Sequence, residues 1–95
     1  MREKFIEKKL VEAVKKKGGM APKFVSPSFN GMPDRIVLLP IGKMAFVELK
    51  APGEQMRPIQ VKRKRQLERL GFSVYCIDDV SQIDGVMKEI GGDAR

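Results

Sequence analysis

Residues 31–50 read GMPDRIVLLPIGKMAFVELK, and the fold turns on how this stretch divides. Arg35 to Leu39 is largely apolar and includes the β-branched Ile36 and Val37. Pro40 to Lys43 carries turn residues, and a second apolar run, Met44 to Leu49, follows at once, so the pair predicts a β-hairpin. In a strand over Met44 to Lys50, Phe46, Glu48 and Lys50 share one face while Ala45, Val47 and Leu49 take the other. Asp34 enters the paired strand just before Ile36, where the hairpin can bring its carboxylate beside Glu48.

Working outward, Ile6, Leu10, Ala13 and Val14 recur at helical spacing between Arg2 and Lys17, with lysines opposite, and Gly18 and Gly19 end the helix. Residues 20–33 contain Pro22, Pro27, Pro33 and Gly31 and read as loop, with a short extended piece around Lys23 to Val25. After Pro52 and Gly53, Pro58 stands at a helix N1 position, and the helix runs to Leu70 with Gly71 as its stop. Phe72 to Ile77 reads as a buried strand, and Val80 to Ile90 as a helix with Val80, Ile83, Val86, Met87 and Ile90 on one face. A strand, crossover helix and strand place Phe72–Ile77 parallel to Met44–Leu49. The expectation is α/β: a small mixed β-sheet flanked by helices, in a single domain over residues 1–95.

Composition narrows the chemistry. The chain has no His, which removes His-based metal sites, Ser-His triads and imidazole acid–base catalysis together. Any catalysis must rest on carboxylates, Lys and metal. A net charge of +7, from 19 Lys and Arg against 12 Asp and Glu, favours a polyanionic partner, nucleic acid first. No apolar run is long enough to span a membrane, and the charged start MREKFIEKKL has no export signature, so the expected location is the cytoplasm, with no membrane partner. The single cysteine, Cys76, sits in an apolar run and fits a reducing compartment, most simply as a buried small side chain.

An acid and an amine with stems in an apolar strand need partners: a metal, each other or a phosphate. Two carboxylates converging on one point, Asp34 and Glu48, favour a hard divalent cation such as Mg²⁺. The plainer alternatives are an exposed Glu48–Lys50 ion pair and a turn role for Asp34 after Pro33. Pro33-Asp34, a hairpin, and then Glu48-Leu49-Lys50 tip the balance toward a site.

These residues resemble the PD-(D/E)XK nuclease pattern. The longer run of GMPD, a strand pair, ELKAPG and a Gln on the next helix is similar to the virus-type replication-repair nuclease (VRR-NUC) domain, over about Glu3 to Asp78. The resemblance implies a restriction-endonuclease-like core and Mg²⁺- or Mn²⁺-dependent cleavage of DNA phosphodiesters, with no small-molecule cofactor. It also implies a structure-specific or junction-cleaving enzyme acting as a homodimer in replication, recombination or repair. Catalytic roles then fall to Asp34, Glu48, Lys50 and Gln60, and the metal ligands would be Glu7, Asp34, Glu48 and the backbone carbonyl of Leu49.

Two of those positions can also be weighed on the residues themselves. Glu7 lies inside the apolar stripe of the first helix, whereas Glu12 points to solvent; a dipole-stabilised acid is the plainer reading of Glu7. Glu3, one turn earlier on the same face, is its rival for the ligand role. Gln60, in the first turn of its helix, could simply satisfy that helix's start; by resemblance it sits beside the catalytic Lys. Arg57, Lys62, Lys64 and Arg65 crowd the same helix and are expected to contact phosphates, although such a run can be a solvated face. With Tyr75 and most Phe in core-like positions, backbone recognition is expected over base stacking. The competing functional readings are a non-catalytic DNA-binding or accessory protein of the same fold, and an oligomerisation domain in which Glu48 and Lys50 form an interface ion pair.

Overall fold

The computed structural model describes residues 2–92. Helix α1 spans Glu3–Lys16 and buries Ile6, Leu10 and Val14. Gly18, at φ 84°, ends the run in a left-handed conformation that favours glycine. Strands β1 (Arg35–Leu39) and β2 (Lys43–Leu49) form the expected antiparallel hairpin, in the register Arg35 opposite Val47 through Leu39 opposite Lys43. Helix α2 (Pro58–Arg69) crosses over and returns the chain to β3 (Val74–Ile77), which lies parallel to β2. The sheet order is β1-β2-β3. A 3₁₀ turn at Val80–Gln82 precedes α3 (Ile83–Gly91).

Strand alternation decides the layers. Val37, Ala45, Val47, Leu49 and Ile77 face α1 and α3, whose Ile6, Leu10, Val14, Ile83, Met87 and Ile90 complete one buried cluster. The other face carries Glu48, Cys76 and Phe46, and α2 packs toward its β3 side. Phe46 meets Phe24 and Phe72 with ring centroids 5.8 and 5.9 Å apart.

The extended piece expected near Lys23–Val25 runs antiparallel beside β1 from residue 20. Met20 exchanges hydrogen bonds with Leu38 at 3.0 and 2.9 Å, Ile36 N–H donates to the Pro22 carbonyl, and Phe24 N–H donates to the Asp34 carbonyl at 2.8 Å. Pro22 is tolerated because this is the sheet edge.

The aromatic expectation is corrected: Phe5, Phe29 and Phe72 are exposed. Strand β3 starts only at Val74, because Gly71 at φ 97° turns the chain and leaves Phe72 at its margin. Cys76 is half-buried rather than a core packer.

The hairpin tip stores strain. Ile41 has φ 66° and ψ 32°, a conformation in which a β-branched side chain is an outlier, and its side chain is 94% exposed. Gly42 follows with φ 71°, so the pair occupies a turn that Asn-Gly would satisfy without penalty. Ile41→Asn is expected to stabilise the fold by about 1 kcal/mol, raising the melting temperature by roughly 5 °C in a thermal melt.

Candidate active site

Asp34 is pinned from two sides. Its carbonyl accepts from Phe24 N–H, and its Oδ2 accepts from Leu49 N–H at 2.9 Å. The register that pairs Arg35 with Val47 brings Asp34 level with Glu48. Lys50 N–H donates to the Ile77 carbonyl on the β3 side, so by alternation the N–H and C=O of Leu49 point to the opposite edge, where Asp34 stands.

Glu48 is 2% exposed, on the face of β2 that it shares with Lys50. Its Oε2 accepts from Gln60 Nε2 at 2.6 Å and lies 3.6 Å from Lys50 Nζ. Its Oε1 is buried with no hydrogen-bond partner. Burial first, and then the negative charge of Asp34, push the Glu48 carboxyl up to about 7, with Lys50 partly opposing them. Gln60 combines the two roles weighed for it: its Oε1 accepts from Arg57 N–H at 2.8 Å and satisfies the helix start, while its Nε2 holds Glu48. Its direct partner is therefore Glu48 rather than Lys50.

The structure gives Glu7 a different partner from the one expected. Arg35 Nε donates to Glu7 Oε2 at 2.9 Å, Nη2 lies at the same distance from that oxygen, and Nη1 donates to the Ala21 carbonyl. Arg35 faces α1 because it alternates with Val37 and Leu39, and a cation on that apolar face takes the nearest acid. Glu3, one turn earlier, is exposed and interacts by charge with Asp34, Lys50 and Glu48. Partial burial and then Asp34 push its carboxyl up, Lys50 pulls it down, and its charge is felt at Glu48. Glu7 is the acid expected as a ligand from the sequence; the signal for its ion pair is Arg35, a charged residue in the core-facing alternation of β1.

The basic residues of α2 separate into groups. Arg63 straps the preceding loop, donating to the Asn30 carbonyl at 2.6 Å and lying over the Phe29 ring. Lys64 pairs with Glu68 at 2.9 Å. Lys62 and Arg65 are exposed, as is Arg57 at the helix start. The GMPD loop meets this helix closely. Gly31, at φ 80°, would bring an added Cβ to 2.7 Å from the Ile59 carbonyl, so glycine is required on both counts.

The donor set suits a hard divalent cation. Two carboxylates and a strand carbonyl at one edge supply oxygen ligands, and Glu48 Oε1 is a buried acceptor with nothing to accept from. Among the described residues, no three His, Cys, Asp or Glu side chains already stand grouped closely enough to hold a metal ion. The remaining coordination would thus fall to water, substrate and movement of Glu3. Among those residues, also, no helix is long and apolar enough to cross a membrane.

No protein-family model matches the chain. A solved structure described as a VRR_NUC domain is similar at a TM-score of 0.84 and 26% identity, covering 90% of this chain and 94% of that one. Mixed sheet, flanking helices and acidic edge therefore define a small α/β nuclease fold of the VRR-NUC type. At the sequence level, "Putative nuclease p44" of Acyrthosiphon pisum secondary endosymbiont phage 1 is 52% identical over 85 residues, 87% of this chain and 91% of that protein. The chain belongs to the VRR-NUC nuclease family, in the form found in that phage protein.

Proposed function

We propose that the protein is a Mg²⁺- or Mn²⁺-dependent DNA endonuclease, acting on branched or junction DNA as a homodimer. The observation that carries the catalytic reading is the unpartnered, buried Glu48 Oε1 beside Asp34. Asp34, Glu48, the Leu49 carbonyl and Glu3 would hold the metal. When bound, the metal supplies charge to polarise the scissile phosphate and acidify a water.

The chain's own groups divide the remaining work. Gln60 fixes Glu48 Oε2, which leaves Oε1 free to bind. Lys50, on the same strand face, orients the attacking water and stabilises charge on the phosphoryl oxygens. The water oxygen bonds to phosphorus, the bond from phosphorus to the leaving sugar oxygen breaks, and the proton released by the water neutralises that oxygen. The choice of DNA rests on the family resemblance. Support for a homodimer is the exposed apolar pair Met20 and Leu38 at the sheet edge, 61% and 38% exposed, a surface a second copy would cover.

Labelled linear, flap and four-way-junction DNA, incubated with Mg²⁺, Mn²⁺ or EDTA, tests the proposal. Metal-dependent cutting supports it, with the junction preferred; binding without cutting selects the accessory-protein reading. Exchange of the helical acids gives a sharper result. Glu3→Gln is expected to weaken cleavage at least about tenfold and leave the melting temperature unchanged. Glu7→Ala should instead lower stability by roughly 1–3 kcal/mol, because it leaves the Arg35 guanidinium without its acceptor. The opposite pattern would return the ligand role to Glu7.

A further inference from the structure

The outward face of α2 carries a stripe of cations that the proposed cleavage site does not use. At about 100° per residue, Lys62, Arg65 and Arg69 lie roughly 140–200° around the helix from Gln60, the residue bonded to Glu48. They point away from the site. All are exposed, and among the described residues none has a hydrogen-bond or ion-pair partner. Glu68, the one acid of α2, borders Arg65 and Arg69 but is bonded to Lys64 at 2.9 Å.

This arrangement is unfavourable for a merely solvated helix. Lys62 with Arg65 and Arg65 with Arg69 are spaced i,i+3 and i,i+4, where like charges destabilise a helix and an acid would stabilise it. Met56, Pro58 and Val61 form an apolar floor beside the cations, in a groove that Lys62, Arg65 and Arg69 line. Cations along an apolar trough fit a sugar-phosphate backbone, whose charge they neutralise and whose sugar edge the floor accepts.

We propose that this face is a second nucleic-acid-backbone surface, gripping a strand segment other than the one being cut, such as another arm of a branched DNA. This rests on the nuclease reading and gives it a physical basis for branch preference. In this arrangement a duplex held at the Asp34–Glu48 edge would engage the site, and a second segment passing over α2 would engage the outward stripe.

The test compares wild type with the Lys62→Ala/Arg65→Ala/Arg69→Ala variant. The probes are a four-way junction and a linear duplex of about one helical turn, roughly 34 Å, which matches the protein's longest extent of 34 Å. Binding is read by anisotropy with Ca²⁺ and cleavage with Mg²⁺. The junction-to-duplex affinity ratio is expected to fall at least tenfold, and the salt dependence of junction binding to become shallower by about 2.7 in logarithmic slope, near 0.9 per lost phosphate contact. Equal weakening on both probes would place the stripe on the same duplex as the site and overturn the inference. So would no weakening on either, the result for a solvated face. Wild type that cuts nothing while the ratio still falls defeats the nuclease reading and leaves the second surface standing. Wild type that cuts while the ratio holds defeats only the second surface.

Discussion

Glu48→Gln is expected to lose cleavage by at least about a thousandfold and, at the same time, to make the metal-free protein more stable above pH 7. Both effects come from one buried carboxyl. In the folded protein it titrates at about 7, against an ordinary value of 4.5, because burial and Asp34 penalise its charge. Between those pH values the folded state holds a proton that the unfolded chain has released. The associated stability is therefore fully present below about pH 4.5 and lost as pH rises through about 7. The amount is on the order of 3 kcal/mol. Glutamine keeps the neutral form at every pH and can still accept from Gln60, so thermal melts of the variant should lack this acid-side gain and lie above wild type at pH 8. Added Mg²⁺ should raise the wild-type melting temperature at pH 8 and leave the variant's unchanged, because binding favours the ionised carboxylate. A variant that still cuts, or that melts below wild type at pH 8, would remove Glu48 from the role given to it.

Lys50→Ala should also abolish cleavage, with a different signature. The side chain is 13% exposed and its ammonium lies 3.6 Å from Glu48 Oε2, but it supplies no oxygen to a metal. A loss of about two to four orders of magnitude in rate is expected, with DNA affinity and the Mg²⁺-induced thermal shift both retained. Because Lys50 pulls the Glu48 carboxyl down, its removal should push that carboxyl further up and move the pH at which Mg²⁺ begins to stabilise the fold upward. Full activity in Lys50→Ala would exclude it from the chemistry. Lost activity together with a lost Mg²⁺ shift would make it a support for Glu48 instead.

What could be read in advance follows the range of the interactions. The approach of Asp34 to Glu48 depends on a hairpin register and a two-residue alternation, both written into neighbouring residues. The parallel placement of β3 follows from one crossover helix. The pairing of Glu7 with Arg35 was beyond that reach, since Glu3 and Glu7 occupy the same stripe of α1 and Arg35 lies on another element. The orientation of α2 was equally hidden. In a helix with so few apolar residues the docked side is chosen by polar bonds, Gln60 to Glu48 and Arg63 to the Asn30 carbonyl, which leave no periodic trace. Aromatic residues misled for a related reason: Phe29 and Phe72 are large and apolar, yet one lies under a guanidinium and the other sits where a strand has not begun.

The side-chain bonds that shape the site close loops of modest length: Asp34 to Leu49 spans 15 residues and Gln60 to Glu48 spans 12. The entropy of closing a loop grows only slowly with its length, so these bonds cost far less than joining the two ends of the chain. Helices α1 and α3, brought in from the two ends, act on it as a buttress. The segment from Gly31 to Gln60 therefore sets most of the carboxylate geometry from within, and Phe24 and Ile77 complete it through backbone bonds to Asp34 and Lys50.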